Sequence, residues 1–159
     1  MEAYKLDDVD LGILSLLQKD GLMTHKEIAH ELNKTITPIA RRIKKLNDLG
    51  YIKRTVALID IHKIQSAFIA FPLVLLTKQS DNVTRTFNEE VKKYPEVMEC
   101  YQLTGHYDFM LKIMMPDMAS YNEFLRDKLS KLPYVGSIQS FLVLSEVKHE
   151  TAYPLEETT

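Results

Sequence analysis

The sequence predicts an α+β protein in which an N-terminal helix-turn-helix, winged-helix-like in type, precedes a C-terminal ferredoxin-like βαββαβ domain. Three observations predict this fold class. Apolar residues recur at helical spacing near the N-terminus, turn residues divide that part into three short helices, and the remainder alternates strands and helices in the order of the split βαβ motif. We therefore divide the chain into a helix-turn-helix domain at 1–50, a linking strand or hinge at 51–65 and a ferredoxin-like domain at 66–155.

The first two helices are indicated by the residues at their N-termini. Residues 8–19 carry an apolar face at helical spacing, and Asp7 and Asp8 place carboxylates at the positive end of the helix dipole. Thr24 and Glu27 have the spacing of a capping box, in which each side chain satisfies the other residue's backbone N–H. A second, short helix is therefore expected to begin after Thr24.

The third helix is expected to run from Thr35, its predicted N-cap, to a stop at Gly50. Pro38 falls in the first turn, where a missing N–H breaks no hydrogen bond. The apolar stripe of this helix consists of Ile36, Ile39, Ile43, Leu46 and Leu49. Its opposite side is polar and basic, and the chain from Tyr51 to Ile61 reads as an extended link.

The second half of the chain changes its hydrophobic period. Its predicted elements are a strand at 66–77, a helix at 82–94, strands at 97–104 and 108–115, a helix at 116–132 and a strand at 136–148. Both helices follow right-handed crossovers in one sheet, so they should cover the same face. Pro72 fits poorly in a central strand and indicates a bulge.

The other face of this sheet is also apolar. In the last strand, Phe141 and Val143 point to one side while Leu142 and Leu144 point to the other. An exposed apolar patch of that extent is rarely left to water. We therefore predict a homodimer that buries sheet against sheet, with no stable monomer at micromolar concentration.

Composition and charge narrow the class of protein. The chain is 45% hydrophobic and 26% charged, as globular proteins are, and its single cysteine, Cys100, suits a reducing cytoplasm. Residues Met1 to Lys5 lack the layout of a signal peptide, and no apolar run approaches the roughly 20 residues of a membrane helix. We expect a cytoplasmic protein with no membrane partner.

Positive charge is concentrated around the third helix. The chain has a net charge of −2, yet residues 34–54 hold seven basic side chains and one acidic one. In a helix-turn-helix the start of the last helix meets base edges in the major groove, so double-stranded DNA is the expected partner. The candidate DNA-binding residues are Lys34, Thr35, Thr37, Pro38, Arg41, Arg42, Lys44 and Lys45. Two alternatives stay open: Thr35 could act as a cap alone, and Arg42 could pair with Asp48 or Asp10.

The turn at 104–108 is the best candidate for a ligand site. Gly105 would let a ligand or another backbone come close, and Asp108 beside it could take a ligand ammonium. The alternative is a structural turn in which the aspartate binds backbone. No catalytic, metal-binding or cofactor-binding set stands out, since the histidines are scattered and Cys100 reads as a small buried side chain.

Three stretches resemble the leucine-responsive regulatory protein and asparagine-regulator (Lrp/AsnC, feast/famine) family of transcription factors. They are LDDVDLGILSLLQKDG at 6–21, TPIARRIKKLNDLGYI at 37–52 and CYQLTGHYDFMLK at 100–112. LPYVGSIQSFLVLSEVK at 132–148 also fits, and the likeness runs from about Leu6 to Leu155.

The resemblance implies a helix-turn-helix, a linking strand and a ferredoxin-like domain for ligand sensing and oligomerisation. It implies dimers that often assemble to tetramers or octamers, and amino acids bound between dimers. The effector contacts it implies are Thr104, Gly105, His106, Tyr107, Asp108 and Ser140. This chain departs from the family in having Leu22 in place of Arg, Asn33-Lys34-Thr35 in place of Gly-Leu-Ser, Arg54-Thr55 in place of Gly-Tyr, and Ile138 where Thr is frequent.

The leading hypothesis is a sequence-specific DNA-binding transcriptional regulator that responds to an amino acid or a related small metabolite. Its expected partners are double-stranded DNA, further copies of the chain and an amino-acid-like small molecule. Two alternatives stay open. One is an enzyme, because some proteins of similar two-domain build are tetrapyrrole decarboxylases. The other is a regulator that senses only through its oligomeric state.

Overall fold

The computed structural model describes residues 4–155, so Met1 to Ala3, which belong to the chain start considered above, lie outside it. The chain forms two compact units. One comprises the chain up to Leu58 together with the segment from Lys148 onward, and the other is Ile59–Val147. Among residues 4–155, no helix combines the length and the apolar character that crossing a membrane requires.

The last segment, which the sequence analysis groups with the ferredoxin-like domain, makes its contacts with the first unit. The Gln18 side-chain amide accepts a hydrogen bond from the Tyr153 backbone N–H at 2.7 Å and donates one to the Tyr153 carbonyl at 3.2 Å. This paired contact returns the C-terminal segment to the first helix of the first unit. Contacts of this kind join residues far apart in the chain, and hydrophobic periodicity carries no signal for them.

Three helices form the first unit: α1 (Asp8–Lys19), α2 (His25–Glu31) and α3 (Ile36–Asp48). Asp7 caps α1 in a capping box with Asp10, and Thr24 caps α2 in the predicted box with Glu27. The core consists of Ile13, Ile28, Ala29, Ile39 and Leu46. The apolar faces read from the sequence therefore meet as predicted, although Ile36 and Leu49 at the two ends of the α3 stripe are half exposed.

Both ends of α3 lie where the sequence predicts them, but Thr35 lacks the side-chain hydrogen bond of a cap. Gly50 has φ +78°, the left-handed conformation that ends a helix at little cost to glycine. Thr35 occupies the N-cap position, but its side chain makes no capping hydrogen bond. The link after α3 holds a 3-10 turn at Ile61–Lys63 and, among the described residues, no strand. A strand requires a hydrogen-bonding neighbour, and residues 4–155 of the single chain place none beside this link.

The second unit contains a four-stranded sheet and two helices. Its elements are β1 (Phe68–Leu76), α4 (Asp81–Val91), β2 (Val97–Gln102), β3 (Phe109–Met115), α5 (Met118–Asp127), a 3-10 turn (Leu129–Lys131) and β4 (Val135–Leu142). The strand order is β2-β3-β1-β4, and every neighbouring pair is antiparallel. This is the predicted ferredoxin-like βαββαβ arrangement.

Two details of this unit differ from the sequence prediction. The last strand ends at Leu142 rather than Lys148, where the chain leaves the sheet. Pro72 lies inside the central strand β1 without a bulge, because the ladder with β3 has the same register at Ala70 (opposite Ile113) and at Leu73 (opposite Met110). The register shift in β1 falls instead between Leu75 and Leu76, on the side of β4.

Both helices cover one face of the sheet, as the crossover argument predicted. The core there includes Val74, Phe87, Leu111, Tyr121 and Phe124. The opposite face, called the outer face below, is formed by Ile69, Phe71, Leu73, Leu75, Met110, Met114 and Phe141. Lys112, Glu99 and Gln139 also lie on this face, and the Lys112 ammonium pairs with the Glu99 carboxylate at 3.2 Å. The outer face is therefore largely apolar along the two central strands β1 and β3.

Candidate DNA interface and effector loop

The exposed side of α3 carries side chains that have no partner among the residues that the structure describes. Thr37, Arg41 and Lys44 are exposed and lie opposite the buried Ile39 and Leu46. Within residues 4–155, these three side chains make no hydrogen bond and no ion pair. A neutral hydroxyl, a guanidinium and an ammonium are thus presented together, the groups that pair with base edges and phosphates.

A groove lies beside this face, at the N-terminal end of α3. It has a volume of about 560 Å³ and is lined by Val9, Asn33, Lys34, Thr35, Pro38, Ile39 and Arg42. Four of the predicted DNA-binding residues therefore meet around one concavity. Asn33 gives the turn its shape by adopting φ +52°, a left-handed conformation that asparagine tolerates better than most residues. Because Thr35 makes no cap, its hydroxyl is available to a ligand.

Arg42, unlike Arg41 and Lys44, forms ion pairs within the chain. Its Nη1 lies 2.7 Å from Oδ1 of Asp10 and 2.8 Å from Oδ2 of Asp7, which is the pairing with Asp10 that the sequence left open. Hydrogen bonding to Asp10 is the main reason that the pKa of Arg42 is raised. Burial alone would raise the pKa of Asp7, but hydrogen bonds from the Asp10 backbone N–H and from Arg42 outweigh it and hold that pKa below its usual value.

Lys45 is engaged on the same side of α3. Its ammonium lies 3.7 Å from the centre of the Tyr4 ring, while its side chain stays exposed. A cation at this distance is attracted to the negative face of an aromatic ring. The predicted DNA-binding residues thus divide into a free set and a set, Arg42 and Lys45, that contacts the N-terminal segment.

The predicted effector loop is open at its glycine. Gly105 has φ +120°, and nothing lies within 4 Å of the position that a Cβ would take. Glycine is therefore required there by the backbone conformation rather than by crowding. Thr104 and His106 are exposed, and the Tyr107 hydroxyl donates to the Gln139 side chain on β4.

Asp108 connects this loop to the end of β1. Its Oδ2 accepts a hydrogen bond from the Leu76 backbone N–H at 2.7 Å, and its Oδ1 accepts one from the Gln79 side-chain amide at 3.1 Å. Both carboxylate oxygens are used inside the chain. This arrangement matches the structural alternative named for this aspartate, although the backbone it binds is that of β1 rather than its own.

Ser140 lies apart from the other predicted effector residues. It forms a 2.6 Å hydrogen bond in which the hydroxyl of the buried Tyr121 on α5 donates to its Oγ, so it faces the helices. Its neighbour Gln139 faces the outer side and contacts Tyr107. The alternation of β4 places Gln139 on the same side as Phe141, and this signal could have identified it from sequence.

The remaining chemistry of the described chain is sparse. Residues 4–155 contain no group of three or more histidine, cysteine, aspartate or glutamate side chains placed to hold a metal ion. Cys100 is exposed on the edge strand β2, so the expectation of a buried thiol was wrong. It faces the helix side of the sheet opposite Leu111. Partial burial there raises the pKa of the thiol.

Two family models match the chain. "Lrp/AsnC ligand binding domain" matches residues 69–153, and "Winged helix-turn-helix DNA-binding" matches residues 6–53. Among curated proteins, the Bkd operon transcriptional regulator of Pseudomonas aeruginosa is 34% identical over 151 residues, which is 95% of this chain and 99% of that protein. The leucine-responsive regulatory protein of Escherichia coli is 33% identical over 143 residues, which is 90% of this chain and 87% of that protein.

Solved structures that resemble this chain are also transcriptional regulators. A transcriptional regulator of Neisseria meningitidis in complex with L-Met has a TM-score of 0.88 and 33% identity, over 94% of this chain and 97% of that one. An AsnC family transcriptional regulator of Agrobacterium tumefaciens has a TM-score of 0.87 and 30% identity, again over 94% and 97%.

Proposed function

The chain belongs to the Lrp/AsnC family of transcriptional regulators, and we propose on that premise that a homodimer of it places each α3 in the major groove of one half of a two-part DNA site. Thr35, Thr37 and Arg41 would meet base edges, and Lys34 and Lys44 would contact phosphates. Lys45 is a further phosphate candidate, since its side chain stays exposed beside the Tyr4 ring.

The observation that carries this proposal is the free, exposed state of Thr37, Arg41 and Lys44 on one side of α3. Arginine forms a bidentate pair with guanine, and lysine neutralises phosphates without reading sequence. The same helix pairs Arg42 internally. Free groups of this kind on the helix that the helix-turn-helix geometry directs at DNA support binding by this face.

The DNA proposal is tested by separating base reading from phosphate binding. Arg41→Ala should weaken binding to a duplex selected by the wild-type protein from a random-sequence pool by roughly 1–3 kcal/mol, and relax the preference at one position per half-site. Lys19→Ala, which removes an exposed positive charge at the end of α1 in the same unit, serves as the matched control and should bind as the wild type does. Equal binding of wild type and Arg41→Ala to the selected duplex would contradict the proposal.

We also propose that the dimer forms through the outer face. Its side chains are partly exposed in the single chain, and Phe141 is 50% exposed. The helices cover the other face, so no layer of this unit is left for the outer one. A two-fold dimer closes such a face and brings two copies of α3 to one DNA site. Assembly beyond the dimer, to tetramers or octamers, would use other surfaces.

The proposed effector is an amino acid or a related small molecule bound near Thr104, Gly105, His106 and Tyr107. The open space at Gly105 and the exposed loop side chains support this position. Asp108 would act by holding the loop to β1, and Ser140, which faces α5, contributes least. The structural relative from Neisseria meningitidis was solved with L-Met, which makes amino acids the first compounds to test.

Thermal-shift measurements with each of the twenty amino acids, on the full chain, test this site. The site is supported by a compound that raises the melting temperature of the wild type but not that of Gly105→Leu. If no amino acid shifts the wild type, the sensing proposal fails and the regulator that responds only through its oligomeric state is favoured. We propose no catalytic role for the chain. We propose that it acts on DNA in the cytoplasm.

A further inference from the structure

The N-terminal segment is joined to α3 by a cluster centred on a buried carboxylate. Asp10 is fully buried, with 0% of its surface exposed. Its carboxylate accepts hydrogen bonds from Arg42 Nη1 at 2.7 Å, from the Tyr4 hydroxyl at 2.6 Å and from the Asp7 backbone N–H at 3.3 Å. The Asp7 carboxylate is the second acceptor for Arg42. The guanidinium of Arg42 therefore connects α3 to two carboxylates at the start of α1.

Tyr4 extends this cluster along the helix. Its ring lies under the Lys45 ammonium, and its carbonyl accepts a hydrogen bond from the Tyr51 hydroxyl at 3.1 Å, beyond the end of α3. The two tyrosine rings meet edge to face with centroids 6.4 Å apart. Tyr4, which precedes α1, thus contacts Lys45, one turn after Arg42 on α3, and Tyr51, which follows the C-terminus of α3.

These contacts fix the rotation of α3 about its axis, which the apolar core alone does not determine. Burial of Ile39 and Leu46 is non-directional, so it tolerates small rotations of α3 about its axis. Hydrogen bonds are directional, and a buried carboxylate is stable only while its partners stay in place. Arg42 is the neighbour of Arg41 on the same helix, so the pairing of one sets the direction of the other.

We propose that Arg42 and Tyr4 are positioning residues for DNA reading: through Asp10 they fix the rotation of α3, and Arg42 contacts no phosphate. This inference rests on the proposed function, because it names what orients Arg41 and Lys44 toward DNA. Arg42 belongs by charge to the basic group of α3, and its pairing with Asp10 and Asp7 is what separates it from a phosphate contact.

The dependence of DNA affinity on salt distinguishes the two roles. Binding is measured by fluorescence anisotropy at several salt concentrations, with a duplex selected by the wild type from a random-sequence pool and with a random-sequence duplex. Lys44→Gln, the control, should lower the slope of log affinity against log salt by about 0.9 per protomer on both duplexes. Arg42→Gln should leave the slope unchanged and reduce the preference for the selected duplex by about tenfold or more. A slope reduced on both duplexes as in Lys44→Gln, or an unchanged preference, would overturn the inference.

A second variant keeps the test decisive if Arg42→Gln fails to fold, which circular dichroism will show. In Asp10→Asn/Arg42→Gln two neutral amides replace the buried charge pair. With the wild-type slope this variant supports the inference, and with a slope reduced as in Lys44→Gln it overturns it. Where both variants fold, added Asp10→Asn should restore part of the preference lost in Arg42→Gln; a residue that touches DNA directly would gain nothing from a change at Asp10. If the wild type itself shows no salt-dependent binding, the proposed DNA-binding function fails first, and this inference with it.

Discussion

Replacement of Phe141 by aspartate should convert the protein to a folded monomer. Phe141 lies on the outer face opposite Phe71, and half of its surface is exposed in the single chain. Half of the accessible surface of a phenylalanine side chain is about 100 Å² of apolar area, and burial of that area contributes about 2.5 kcal/mol to the free energy of association. A two-fold dimer buries it twice, so the loss is about 5 kcal/mol, or more than a thousandfold in dissociation constant. Burying the new carboxylate adds to that loss.

Sedimentation equilibrium at micromolar concentration, together with far-ultraviolet circular dichroism, measures both mass and fold. Phe141→Asp is expected to give a mass near 18.4 kDa with the wild-type spectrum. Ile138→Asp is the control on the same strand, since Ile138 packs on the core under the helices and its change should damage the fold. Leu142 is a poorer control than its alternation suggests, because it is 41% exposed and its replacement need not damage the core. A wild type that is itself a folded monomer would refute this reasoning, and so would a Phe141→Asp dimer of unchanged stability.

Three further predictions concern the DNA face, the loop and acid stability. Lys44→Ala should weaken selected and random duplexes alike in anisotropy titrations, because a phosphate contact carries no sequence information; a loss confined to the selected duplex would contradict it. Gly105→Leu should abolish the effector-induced thermal shift, since φ +120° strains a residue with a Cβ; a normal shift would remove the loop from the site. The lowered pKa of Asp7 means that its contribution to stability is present at neutral pH and is lost as pH falls through the folded-state value, so Asp7→Asn should flatten the decline of melting temperature below about pH 5. An unchanged acid profile would contradict that role.

Local chemistry made the helices of the first unit predictable. The capping boxes of Asp7 and Thr24 are formed by residues three apart, and the apolar stripe of α3 follows a fixed period. Thr35 occupies the predicted N-cap position without a capping hydrogen bond, because the position and the side-chain bond are separate properties and the sequence predicts only the position. The pairing of Arg42 with Asp10 was one of two open possibilities, since a sequence does not say which of two aspartates a helix meets.

The candidate effector site was less predictable, because its contacts join distant parts of the chain. The bond from the Leu76 backbone to Asp108 spans β1 and the loop before β3, and the bond from Tyr121 to Ser140 spans α5 and β4. The resemblance to the family placed these residues near an effector, but it did not say which way each side chain turns. Strand alternation does say this for Gln139, which therefore replaces Ser140 as the β4 residue beside the loop.

The count of basic residues overstates the charge that α3 offers to DNA, and this has a measurable consequence. Seven basic side chains lie between residues 34 and 54, but only Lys34, Lys44 and Lys45 are proposed as phosphate contacts in each protomer, because Arg41 is placed at base edges and Arg42 is paired with two carboxylates. Six contacts in a dimer correspond to a salt slope of about −5, whereas fourteen correspond to about −13. We expect the shallower slope on a random-sequence duplex. A slope near the steeper value would mean that the pair with Asp10 opens on DNA and that basic residues of the link after α3 join the interface.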